Sequence, residues 1–76
     1  MRKIIYDDGA MAIINDDGKF YIRYDVGTHQ IKIREDEISE DEANLAMVGT
    51  AEATRVLFAV QRRLQLAGVD PYVSNT

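Results

Sequence analysis

Ile4-Ile5-Tyr6-Asp7-Asp8-Gly9 recurs nine residues later as Ile13-Ile14-Asn15-Asp16-Asp17-Gly18. Each copy is a β-branched apolar run that stops at Asp-Gly. Asp tolerates the left-handed backbone region and Gly enters it without steric cost, so each copy reads as a strand ending in a hairpin turn. This predicts strand 1 over residues 3–6 and strand 2 over 10–14. Strand 3 follows over 20–24, where Phe20, Ile22 and Tyr24 alternate with Tyr21 and Arg23. A turn at Asp25-Val26-Gly27-Thr28 leads to strand 4 over 30–34, with Ile31 and Ile33 inward and Lys32 and Arg34 outward. The reading is a four-stranded antiparallel meander with one buried face.

Beyond residue 34 the apolar period changes from 2 to 3.6. Ser39-Glu40-Asp41-Glu42 has the form of a capping box, in which the Ser39 hydroxyl accepts from the amide three residues on and Glu42 reaches back. A first helix is expected over 40–48. Gly49 would close it and Thr50 would cap a second helix over 51–67, unless one helix runs through the glycine. Gly68 and Pro71 end the helical segment. Residues 69–76 are a tail, either docked or disordered. The expected fold is α+β in one domain, the meander followed by a short and a longer helix, with residues 1–34 as strands and 39–67 as helices. Its expected core is Ile4, Ile13, Phe20, Ile22, Tyr24, Ile31, Ile33, Val56, Leu57, Val60 and Leu64.

Size sets the next constraint. A chain of 76 residues buries only about 60 to 65% of the surface its unfolded form exposes. Small domains compensate with disulfides, metal or a partner subunit. The absence of cysteine and the single histidine, His29, exclude disulfides and Cys- or His-rich zinc sites. Oligomerisation or a well-packed core is left. The basic start Met1-Arg2-Lys3 meets acid at Asp7 with no apolar stretch of signal-peptide length. No segment approaches the roughly 20 apolar residues of a membrane span. The expected location is the cytoplasm.

The paired Asp-Asp-Gly segments fail the calcium-loop pattern, which needs acids or amides at alternate positions. His29 beside Asp25 and Thr28 has no implied orienting partner and reads as a loop histidine. No catalytic residue, cofactor or metal site is expected, and the protein is read as a non-enzyme.

Three surfaces remain. The long helix carries Phe58 and Leu66 off its buried stripe, beside Arg55 and Arg62. Aromatics and Arg are enriched at protein interfaces, so these four residues are the candidate protein interface. The outward face of strands 3 and 4 would gather Tyr21, Arg23, Lys32 and Arg34, a pattern suited to phosphate contact and base stacking. The net charge of −4 argues against such binding. Glu35, Asp36, Glu37, Glu40, Asp41 and Glu42 make six of the eight residues 35–42 acidic, so the run can imitate phosphates or simply serve the helix N-terminus. The leading expectation is a self-associating protein-binding module, an adaptor or an inhibitor of a larger protein. A sheet-face nucleic-acid binder and an acidic phosphate mimic are the alternatives.

Overall fold

The structure is a computed structural model and describes residues 1–27 and 30–76. Thr28 and His29, and with them the reading of His29, lie outside the described residues. Four strands, β1 (Arg2–Asp7), β2 (Met11–Asp16), β3 (Lys19–Asp25) and β4 (Ile33–Ile38), form one antiparallel sheet in the order β1-β2-β3-β4. Helices α1 (Glu40–Ala46) and α2 (Thr50–Leu66) follow. The α+β meander expected from the sequence is the observed fold.

Both Asp-Gly turns are present, and they differ. Asp17 and Gly18 have φ of 52° and 89°. Two successive positive φ values make a type I′ turn, whose twist matches that of the strands it joins. Asn15 Oδ1 secures it by accepting from the Gly18 amide at 2.9 Å. The first turn is wider. Asp8 Oδ1 accepts from the amides of Ala10 at 2.9 Å and Met11 at 3.0 Å, so β2 begins at Met11.

Register decides which residues meet the helices. Opposed residues in an antiparallel pair point to the same side. Ile13 pairs with Ile22, Met11 with Tyr24 and Asn15 with Phe20. On the other side of β3, Phe20 pairs with Ile38, Ile22 with Asp36 and Tyr24 with Arg34. Met11, Ile13, Ile22, Tyr24 and Ile38 meet Ala43, Ala46, Ala53, Val56 and Val60 of the helices in one core cluster. Alanines at the helical contacts let α1 sit close to β3 and to α2, while Val56 and Val60 of α2 reach the shared core.

Three core expectations are corrected. Between Ile4 and Tyr6 the β1 register shifts by one residue: Ile4 faces Ile14, but Tyr6 faces Ile13. This bulge gives the side of Ile13 to Tyr6 and leaves Ile4 on the opposite face, 52% exposed. Ile14 is buried there, in one cross-strand row with Ile4 and Tyr21. Strand β4 lies later in the chain than 30–34 and runs through the first acids. Ile31 therefore falls in the preceding loop and is 81% exposed. Ile33 pairs with Asp25 on the outer face, and Arg34 points inward.

The capping box forms in full: Ser39 Oγ accepts from the Glu42 amide at 3.1 Å, and Glu42 Oε1 accepts from the Ser39 amide at 2.9 Å. Gly49 separates the two helices and takes the N-cap position of α2, with Thr50 its first helical residue rather than its cap. At the far end Gly68 has φ of 80°. The Val69 amide donates to Leu64 O at 2.8 Å and the Gly68 amide to Gln65 O at 3.0 Å. This Schellman arrangement satisfies the last carbonyls and turns the chain back toward the sheet.

A Cβ at Gly18 meets no atom within 4 Å, so its φ of 89° alone penalises a side chain. Gly18→Val is expected to lower stability by about 1 kcal/mol or more. The check is the urea midpoint; an unchanged value would show that this turn does not need its left-handed residue.

Candidate functional site

Helix α2 displays its four candidate residues on the side away from the sheet. Phe58 is 63% exposed and Leu66 77% exposed, with Arg55 and Arg62 also exposed. Phe58, Arg62 and Leu66 stand four residues apart and form one ridge inclined to the helix axis. Neither α1 nor the tail covers them. Arg63, one residue further round, is tied to Glu42 at 3.1 Å. Among the described residues Arg55 and Arg62 enter no ion pair.

The four residues of the alternative basic surface do not form one face. Tyr21 and Arg23 lie on the outer face. Lys32 precedes β4 in the loop, where its amide donates to Asp25 Oδ1 at 3.1 Å. Arg34 is on the inner face, opposite Tyr24, and only 6% exposed. Arg23 is held by Glu35, whose Oε2 lies 3.1 Å from both Nε and Nη2. Arg2 reaches across the outer face to the other Glu35 oxygen, and its guanidinium carbon lies 5.7 Å from the Tyr21 ring centroid. The basic and aromatic groups of this face are thus largely engaged by one another and by Glu35.

The acidic run is likewise divided. Burial pushes the Glu35 carboxyl up, but hydrogen bonds from Arg2 and Arg23 outweigh it and leave Glu35 below its ordinary value. Glu42 also ends below its ordinary value: burial raises it, while the Ser39 amide and Arg63 pull it further down. Asp36 faces inward and binds Arg34. Only Glu37, Glu40 and Asp41 of the six remain exposed without an ion-pair partner among the described residues.

The inward pair anchors a polar corner that the strand assignment at 30–34 could not reveal. Arg34 Nε and Nη2 donate to the two Asp36 oxygens at 2.9 and 3.0 Å. The Tyr24 hydroxyl lies 3.2 Å from Asp36 Oδ2 and donates to Pro71 O at 3.0 Å. Arg34 Nη1 reaches Val73 O at 3.0 Å and Asp70 O at 3.4 Å. Pro71 is fully buried here. The tail is docked, and its seat is the β4 edge. The sequence signal for the later position of β4, though not for the tail, is Ile38, an apolar residue directly before the Ser39 cap.

Among the described residues, no group of three or more His, Cys, Asp or Glu side chains is placed to hold a metal ion. No helix of the described residues is long and apolar enough to cross a membrane. No protein-family model, curated protein or solved structure matches the chain.

Burial first, then the Asp36 carboxylate, pushes the Tyr24 phenol up from 10.0 to about 12. An acid whose folded pKa is raised adds stability that is complete below its unfolded pKa and is lost as pH rises toward the folded value. Thermal stability should therefore decline between pH 10 and about 12, and Tyr24→Phe should flatten that decline; equal slopes would remove Tyr24 from the alkaline transition. Asp36→Ala leaves Arg34 buried without its counter-charge and should cost on the order of 3 kcal/mol. The double variant Arg34→Met, Asp36→Leu is expected to cost less than Asp36→Ala alone in urea denaturation.

Proposed function

We propose that the chain is a non-enzymatic protein-binding module that self-associates through the outer ridge of α2, with a second copy as the partner. The observation that carries this reading is Phe58, a phenylalanine 63% exposed at the middle of the longest helix. Burying one such side chain contributes roughly 1.5 to 3 kcal/mol, a large increment for a domain of this size.

Charge complementarity supports a second copy over an unrelated protein. The outer face of α2 offers Arg55 and Arg62 without ion-pair partners among the described residues. Each copy also exposes Glu37, Glu40 and Asp41 around the start of α1. A two-fold arrangement, the commonest for homo-oligomers, can place the arginines of one copy against the acids of the other. Phe58 and Leu66 would fill the centre, and the charges would orient the encounter and set its rate. Acting as an adaptor or as an inhibitor of a larger protein would use the same mechanism, occlusion of a surface.

Wild-type chain is expected to sediment as a dimer at high micromolar concentration, with association weakened by salt. Phe58→Asp should sediment as a monomer and keep its circular dichroism spectrum, because Phe58 is outside the core. A wild type that remains monomeric at that concentration would rule the reading out.

A further inference from the structure

The last residues of the chain occupy the place of a fifth strand. The free edge of β4 presents the amide and carbonyl of Glu35 and the carbonyl of Ile33. Asn75 answers Glu35 with its side-chain amide: Oδ1 accepts from the Glu35 amide at 2.9 Å and Nδ2 donates to the Glu35 carbonyl at 2.6 Å. One carboxamide thus imitates the peptide unit that a neighbouring strand would supply. Ser74 Oγ and Thr76 Oγ1 lie 2.5 and 3.0 Å from Ile33 O. Upstream, Arg34 and Tyr24 hold the carbonyls of residues 70, 71 and 73.

This contact is specific in its hydrogen bonds and poor in apolar burial. Pro71 is its one buried residue, while Val69, Tyr72 and Val73 remain exposed. The segment joins α2 through Gly68, whose φ of 80° suits it to act as a hinge. Each hydrogen bond that the segment gives up is replaced by one to water and so contributes little net, more where the Arg34 guanidinium is the donor. Every copy of the chain carries both the edge and the segment that fits it, which is the condition for exchange between copies.

We propose that the β4 edge is a docking site for an extended peptide, and that residues 69–76 of a second copy are its ligand in trans. The cis segment is then a competitor, present at the high effective concentration of a short tether. Recognition requires a carboxamide side chain opposite Glu35 and, four residues before it, a proline carbonyl opposite Tyr24.

The test uses full-length protein and a labelled synthetic peptide with the sequence of residues 69–76. Asn75→Ala weakens the cis competitor without touching the site. It should bind the peptide about tenfold more tightly than wild type, by fluorescence anisotropy, with the Glu35 amide resonance shifting on titration. A peptide carrying Ala at the position of Asn75 should lose that gain. Asn75 is exposed, so the variant keeps its fold, and Phe58→Asp introduced alongside should leave peptide binding unchanged. Equal affinity of wild type and Asn75→Ala, or a Glu35 resonance that does not move, would overturn the proposal.

Discussion

A guanidinium buried against the sheet is the constraint on which the second half of the molecule depends. Arg34 is 6% exposed, and a charge taken out of water is tolerated only when it is paired and hydrogen-bonded. Asp36, two residues along the same strand and therefore on the same face, supplies the pair. The remaining donor capacity of Arg34 goes to tail carbonyls. The tail supplies backbone acceptors for the guanidinium at the β4 edge. Its docking in turn covers the β4 edge.

The two edges of the sheet are managed by different means. An exposed edge invites pairing with another chain. At β1 a bulge interrupts the ladder and Arg2, Lys3 and Asp7 crowd it with charge. At β4 the side chains of Ser74, Asn75 and Thr76 bind edge groups of Ile33 and Glu35 without adding a strand. The β1 device is part of the strand itself. The β4 device is a separate segment that follows α2 across Gly68.

Charge is also sorted by sheet parity. In β4, Arg34 and Asp36 neutralise each other inside, while Glu35 is clamped by Arg2 and Arg23 outside. What remains unpaired among the described residues is separated in space, with Arg55 and Arg62 on α2 and Glu37, Glu40 and Asp41 around the start of α1. The overall charge of −4 conceals this arrangement.

Local chemistry determined the elements. Asp-Gly at positions 8–9 and 17–18 placed the turns, since few other pairs accept that backbone. Ser39 with Glu42 placed the start of α1, Gly49 the start of α2 and Gly68 its end, because caps act within one turn of the chain; α1 itself stops earlier than Gly49, at Ala46 with Met47 as its cap. The exposed position of Phe58 followed from the helical period alone. Tertiary structure decided the faces. A one-residue bulge in β1 moved Ile4 to the outer side, because side-chain direction reverses with every residue. A strand through Glu35, Asp36 and Glu37 has poor intrinsic β-propensity; it exists because Arg2, Arg23 and Arg34, from three different strands, offset its charge. The seat of the tail was illegible for the same reason. Its partners, Tyr24, Ile33, Arg34 and Glu35, lie some 40 residues earlier in the chain, and only the folded sheet brings them to one edge.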